Sequence, residues 1–403
     1  MALKVKVGAV GILDMLKFKN TAKAREKVIE KTPGREITGT FPINTKAEHL
    51  HPGILHLVIA DIIEHKRAAS KTYVLTRPDG KALPFFRAGQ YLSVKMKIGE
   101  STLSRAYSLS SSPLEALSGR YEITVRSTDG GFASEWILSE WKKGDRVITT
   151  EPLGQFYYED LRDEKRVLAV AGGSGITPFL SMAKAIRDGI ESFSLTILYG
   201  SRTESSILFR DELEEIASSC PSVRVIHVLS DEEKEGMETG SITSLLIRKY
   251  APRDGQYSLY FSGPGEMYRF LKPEVDKLTL PDRLFRHRKT DVTKRPWERD
   301  DYPREAVGRV FTITVRQGPE EYTIRASSGE TVLTALERAG IKAPSRCRSG
   351  ECGWCRSRLL SGSVYTPEEN EGRRWADREY GYIHPCASFP LSDLVLDIPG
   401  GYW

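Results

Sequence analysis

Four of the five cysteines in this 403-residue chain lie close to its C-terminus: Cys347, Cys352, Cys355 and Cys386. The first three are spaced Cys-x4-Cys-x2-Cys in SRCRSGECGWC, and the fourth follows in HPC. Thiolates at this spacing suit a 2Fe–2S cluster. Three ligands on one loop must curl round a compact group. Ser349, Gly350 and Gly353 are small enough for backbone N–H groups to turn towards its sulfides. The rival is a four-cysteine zinc site, which usually takes two separated Cys-x2-Cys pairs, and this chain has one. Thiols clustered in a long chain argue for metal ligation rather than a disulfide scaffold. Cys220, in IASSCPSV, stands apart and reads as a packing residue.

A second set of residues points to phosphate. AGGSGITP, from Ala171 to Pro178, follows the apolar run VLAV and precedes PFLSMAKAIRD, which has the pattern of a helix. Glycines at such a turn let the backbone approach a phosphate, and the helix start adds N–H donors and the positive end of its dipole.

These residues need a frame to hold them. Between 53 and 158, short β-rich runs such as YLSVKMKI, YEITVRST and DRVITTEP are punctuated by Gly and Pro, which predicts an antiparallel barrel or sandwich. From 165 onwards, strands (VLAVAGG, SLTILYGS, VRVIHVLS, YSLYFSGP) alternate with helices (ILFRDELEEIASS, SITSLLIRKYA, EMYRFLKPEVDKL), which predicts a parallel, doubly wound sheet. Residues 287–306 are almost wholly polar with two prolines, the composition of a linker. GRVFTITVR and EEYTIRAS then read as a strand pair, and ETVLTALERAG as a helix stopped by Gly340. The expected order is an extension at 1–52, an antiparallel β-barrel at 53–160, an α/β parallel-sheet nucleotide domain at 161–286, a linker at 287–307 and an α+β domain of β-grasp type carrying the cysteines at 308–403.

Composition narrows the function classes. Hydrophobic residues make up 39% of the chain, as in core-forming proteins. The net charge of +5, from 59 basic and 54 acidic residues, is spread along the chain, so no nucleic-acid partner is expected. No apolar run approaches the roughly 18 residues of a membrane span. Asp14 interrupts the apolar start, which reads as a helix rather than a signal peptide, so a cytoplasmic location is expected. The segment 21–31, TAKAREKVIEK, reads as a charged helix.

The stretch 308–403 resembles plant-type ferredoxins on its four cysteines. Upstream, RAGQYLSV, RAYS, GGFASEWI and EPLGQFYY occur in the order found in the ferredoxin–NADP reductase superfamily, followed by AGGSGITP, LYGSR and SGPGEMY. The resemblance implies roles by position. Arg105 would pair with a flavin phosphate, for which a planar cation is suited. Tyr107 would pack on the isoalloxazine ring, and Ser108, the candidate catalytic residue, would bond its reactive N5 edge, with Ala106 between them. Gly131, Phe132, Ala133 and Ser134 would offer backbone N–H groups and a hydroxyl to a pyrophosphate. Gly172, Gly173, Ser174, Gly175, Thr177 and Pro178 would hold the nicotinamide nucleotide together with Ser201, Arg202, Ser230, Asp231, Ser262, Gly263, Pro264 and Met267.

Two departures stand out. Serine occupies position 262 where the family often has cysteine, and LFRHRKT replaces a segment that often carries a carboxylate near the flavin. The helix start GGFASEWI favours FAD over FMN. NADP-using relatives carry a Ser-Arg pair where this chain has Ser230-Asp231, and a carboxylate repels a 2′-phosphate, so NADH is expected over NADPH, although Arg202 pulls the other way.

A nicotinamide gives two electrons, a 2Fe–2S cluster takes one, and a flavin can do both. The domain order resembles reductase components of bacterial oxygenases, such as those of phthalate dioxygenase and phenylacetyl-CoA monooxygenase. It implies electron flow from NADH through FAD and the cluster to an unidentified acceptor protein. An electron donor to an anaerobic reductase or corrinoid activation system, and a redox-sensing module that keeps the fold, are the alternatives.

Overall fold

The computed structural model describes residues 21, 23–28, 30, 31, 41–128 and 130–400. The chain divides into two units, Met1–Leu50 and His51–Trp403. In the first, the described residues of 21–31 are helical, as their composition predicts, and Pro42–Leu50 forms a second helix. The expected helix at the start of the chain lies outside the described residues.

The second unit holds three sheets. Six antiparallel strands, β1 (Ile54–His65), β2 (Ser70–Thr76), β3 (Tyr91–Ile98), β4 (Ser101–Ser108), β5 (Tyr121–Arg126) and β6 (Arg146–Thr150), are ordered β4-β3-β6-β1-β2-β5. An isolated bridge between Leu109 and Ile123 draws the end of β4 towards β5 and curls the sheet into a barrel. Alternation along β1 sends Leu55, Leu57 and Ile59 into the barrel core.

The next sheet is parallel throughout: β7 (Arg166–Gly172), β8 (Ser194–Ser201), β9 (Val223–Leu229), β10 (Glu238–Thr239), β11 (Ser258–Gly263) and β12 (Phe285–Lys289), ordered β10-β9-β8-β7-β11-β12. Strands β7 and β11 are buried along almost their whole length because helices cover both faces. The order reverses between β7 and β11, where nucleotide ligands bind in such sheets.

The third is a mixed sheet: β13 (Val310–Gln317), β14 (Glu320–Ser327), β15 (Ser357–Ser361), β17 (Tyr382–Ile383) and β19 (Leu394–Asp397), beside the small pair β16 (Val364–Tyr365) and β18 (Phe389–Pro390). Helix Val332–Arg338 packs Val332, Ala335 and Leu336 onto it. Thr331 caps that helix, and Gly340 ends it with φ +74°.

The polar segment 287–307 is not a free tether. Its first residues complete β12, and short turns follow at Pro296–Glu298 and Arg304–Ala306. Buried Arg299 grips Glu369 through both Nη atoms at 2.7 and 2.9 Å. Its buried cations Lys289 and Arg299 serve ion pairs rather than water, a distinction that composition does not make. No helix among the described residues is long and apolar enough to cross a membrane.

Candidate redox site at the junction of three domains

The glycine turn sits at the C-terminal end of β7, pressed against β11. A Cβ on Gly175 would lie 2.0 Å from the Ser262 carbonyl oxygen, and one on Gly172 would lie 2.3 Å from Met267 Sδ. Gly173 adopts φ +53°, and a Cβ there would meet Arg126 at 2.8 Å. Thr177 Oγ1 donates to Ser174 O at 3.0 Å, and Pro178 sits in the first turn of helix Thr177–Arg187. Ser262 Oγ is fully buried with no hydrogen-bond partner among the described residues, while Gly263 and Pro264 lead into helix Gly265–Asp276. A bare buried hydroxyl beside glycine backbone fits a polar ligand group such as a nicotinamide. Replacing Gly175 with valine is expected to abolish nucleotide binding, read as loss of the NADH-dependent absorbance change, because the side chain would run into the β11 backbone.

Ser201, Arg202, Ser230 and Asp231 gather at the ends of β8 and β9. The Ser230 N–H donates to Ser201 O at 3.0 Å and the Asp231 N–H to Arg202 O at 2.9 Å. Ser230 and Asp231 are exposed, and the Ser230 hydroxyl donates to the Asp231 carboxylate.

The barrel supplies β4. Arg105 Nη1 donates to the Ser104 carbonyl at 2.8 Å and lies 3.8 Å from the Glu337 carboxylate. Burial, then the neighbouring cation Arg348, lowers its pKa to about 10. A half-buried cation that shares the Glu337 carboxylate with Arg348 fits a phosphate. Tyr107 packs against the barrel core and its hydroxyl is pushed up to about 12 by burial. Ala106 pairs with Ser93, and Ser108 with Tyr91. Gly131 starts helix Phe132–Glu140, and its missing Cβ would strike Ser134 Oγ at 2.2 Å. Phe132 is exposed beside it and Ala133 is buried.

In the cysteine loop, Cys347 Sγ accepts the Cys352 N–H at 3.3 Å, and Cys352 Sγ accepts the Trp354 N–H at 3.5 Å. Neighbouring thiols Cys352 and Cys386 hold the Cys347 thiol well below its ordinary pKa. Among the described residues no group of three or more His, Cys, Asp or Glu is placed to hold a metal ion. The thiols instead form a chain, Cys352–Cys347–Cys386–Cys355, each within hydrogen-bonding reach of the next. Four thiols gathered in this way fit a thiolate-held group such as a 2Fe–2S cluster. Gly350 has φ +81°, and a Cβ there would lie 2.1 Å from Asn370 O. His384 Nδ1 donates to Gly350 O at 2.7 Å and ties the HPC segment to the loop. Of the arginines round the loop, Arg348 pairs with buried Glu337 and Arg356 with buried Asp377 at 3.0 Å. Arg346 lies 3.3 Å over the exposed Trp354 ring.

The three regions meet. Ser104 Oγ lies 2.6 Å from Ser345 Oγ of the cysteine loop. Lys289, at the end of β12, pairs with Glu351 between the cysteines at 3.1 Å. Arg288 stacks over the Tyr91 ring at 4.7 Å. Sequence reasoning missed these six residues. The carboxylate absent from LFRHRKT is met in space by Glu351, from a loop 62 residues further on.

Comparison with known proteins agrees with this architecture. Residues 64–158 match the oxidoreductase FAD-binding domain, 169–273 the oxidoreductase NAD-binding domain, and 315–391 the 2Fe–2S iron–sulfur cluster binding domain. The glycine betaine monooxygenase reductase subunit of Chromohalobacter salexigens is 28% identical over 79% of this chain and 89% of its own length. The ferredoxin reductase component of 3-ketosteroid-9-alpha-monooxygenase from Mycolicibacterium smegmatis is 29% identical over 86% and 98%. The solved structure of phthalate dioxygenase reductase is 26% identical with a TM-score of 0.64, covering 86% of this chain and 98% of that one. With FAD-binding, NAD-binding and 2Fe–2S cluster binding domains in this order, the chain is a multidomain flavin- and nicotinamide-dependent oxidoreductase similar to the reductase components of oxygenases.

Proposed function

We propose that this chain is the reductase component of an oxygenase system, working in the cytoplasm and passing electrons from NADH to a partner oxygenase. The observation that carries the reading is the junction itself, where the Ser262, Ser108 and Cys347 regions are joined through Arg288 and Tyr91. When bound, the nicotinamide supplies a hydride, FAD splits it into single electrons, and the cluster carries them one at a time.

The chain's own residues bind and orient these groups. Gly172, Gly173, Ser174 and Gly175 leave room for a dinucleotide phosphate at the helix Thr177–Arg187 terminus. Ser262 offers its spare hydroxyl to the carboxamide. Arg105 neutralises a flavin phosphate, Tyr107 covers the ring and Ser108 holds a hydrogen bond at its N5 edge. The Gly131–Ser134 helix start takes the pyrophosphate. Cys347, Cys352, Cys355 and Cys386 hold the cluster.

Asp231 sets the nucleotide preference by repelling a 2′-phosphate. Wild-type protein is expected to have a higher kcat/KM for NADH than for NADPH in reducing cytochrome c. In Asp231→Ala the NADPH/NADH ratio of kcat/KM should rise about tenfold, which is ~1.4 kcal/mol. A wild-type preference for NADPH, or no rate with either nucleotide, would overturn the reading.

A further inference from the structure

Arg288 occupies a place for which neither the fold nor the binding of any one cofactor gives a reason. On β12 it is paired in register with Ser262 of β11. Its guanidinium reaches out of the nucleotide sheet, donates to Gly89 O at 3.4 Å and lies 4.7 Å over the ring of Tyr91. Tyr91 is paired in register with Ser108. From the other side, Cys347 and the Glu351 carboxylate lie within electrostatic reach of Arg288, and Cys352 and Cys347 lie within reach of Tyr91. One cation therefore lies on the nicotinamide-side strand, contacts the barrel at Gly89 and Tyr91, and is within electrostatic reach of the cluster loop.

The neighbouring charges do not cancel it. Glu351 is engaged by Lys289 Nζ at 3.1 Å, with His287 Nδ1 at 3.9 Å. Burial then lowers the pKa of Arg288, which marks a charge held where water screens it poorly. Such a charge acts more strongly on its surroundings than one at the surface.

We infer that Arg288, held against Tyr91, is a positioning residue for the flavin-to-cluster step, its fixed positive charge favouring the electron on the cluster side of the junction. The inference rests on the functional reading above and deepens it. Each electron that crosses leaves the flavin one electron poorer and the cluster one electron richer. Arg288 keeps its proton throughout, and neither Arg288 nor Tyr91 is oxidised or reduced. Tyr91 contributes a packed ring between the β4 edge and the thiols, and Arg288 contributes the charge.

The test is a redox titration of the purified holoprotein followed by the electron paramagnetic resonance signal of the reduced cluster. Wild type is compared with Arg288→Met, which keeps the aliphatic stem, and Arg288→Lys, which keeps the charge. In Arg288→Met the ratio of reduced to oxidised cluster at a fixed potential should fall tenfold, equal to ~59 mV for one electron. Stopped-flow traces should show cluster reduction lagging further behind flavin reduction. Arg288→Lys should restore most of the potential, which a merely structural role would not predict. Arg288→Gln serves in the same comparison if Arg288→Met does not retain both cofactors. A potential unchanged in the uncharged variant, or displaced equally by Lys and Met, would overturn the inference. Failure of wild type to be reduced by NADH would overturn the functional reading instead, so the two failures are distinguishable.

Discussion

Replacing Cys386 with serine is expected to strip the chain of its cluster and stop delivery to one-electron acceptors, while leaving the barrel and nucleotide sheet folded. Cys386 is buried and lies within reach of both Cys347 and Cys355, so it joins the two thiol pairs. A serine hydroxyl is a harder and far less acidic donor than a thiol, and would be a much poorer ligand to an iron held here. The segment round it is also structural. The Val332 N–H donates to Ser388 O at 2.8 Å and the Leu333 N–H to Pro385 O at 2.9 Å, so the first turn of helix Val332–Arg338 is fixed by the loop that presents Cys386. Its backbone therefore stays in place when the side chain changes. Iron content should fall towards zero and NADH-dependent cytochrome c reduction should drop by more than the ~100-fold that loss of an outer hydrogen-bond partner costs a metal site. Ferricyanide, which can take electrons from the flavin, should still be reduced. Retention of full iron and cytochrome c activity would remove Cys386 from the ligand set.

The second large effect concerns stability. Lys184, on helix Thr177–Arg187, is buried between Glu122 of β5 at 3.2 Å and Glu212 of helix Arg210–Ser219 at 2.8 Å. Nearby, Ser181 Oγ donates to Ser111 O at 2.7 Å, so the barrel and nucleotide sheet are pinned together by polar contacts with little water. Burial alone would raise the Glu122 pKa, but the Lys184 ammonium and the Arg120 guanidinium outweigh it and hold the carboxyl below its ordinary value. Lys184→Met removes one of the two cations on the buried Glu122 carboxylate and leaves it to Arg120 alone, at a cost of about 1–3 kcal/mol. At roughly 2–4 °C per kcal/mol, the melting temperature should fall by about 5 °C at pH 7. The sign of the pH effect follows from the depressed pKa. The stabilisation by Glu122 is present above its unfolded pKa, near ~4.3, and is lost as pH falls through the folded value. The gap between wild type and variant should therefore narrow on acidification, as seen by calorimetry at several pH values. A gap that is equal at pH 7 and pH 4 would show that the carboxylate does not carry the effect.

Much of the site could be read from the chain because its chemistry is local. The cysteine spacing, the glycine turn after VLAV and the RAYS run each lie within one loop or strand end, where residue type and spacing determine what the backbone can do. The strand and helix alternation from 165 to 286 has a clear period, and the parallel sheet follows from it. What escaped reading lies between domains. Lys184 sits on an otherwise apolar helix, and nothing in PFLSMAKAIRD says that its ammonium meets a carboxylate 62 residues earlier. Arg288, Lys289 and Arg299 look like solvated linker residues, because composition does not separate a charge facing water from one facing a buried partner. Tyr91 looks like any strand tyrosine until Arg288 is placed over it. Glu337 reads as one polar residue of an amphipathic helix, yet it faces Arg348 from the cluster loop and Arg105 from the barrel.

The central claim is a three-part electron path within one chain. An anaerobic titration of the purified holoprotein with NADH, followed by visible absorbance, tests it most directly. Flavin and cluster bands should bleach together at low NADH and less readily with NADPH. A colourless protein that carries zinc, or coloured bands that NADH leaves unchanged, would contradict it.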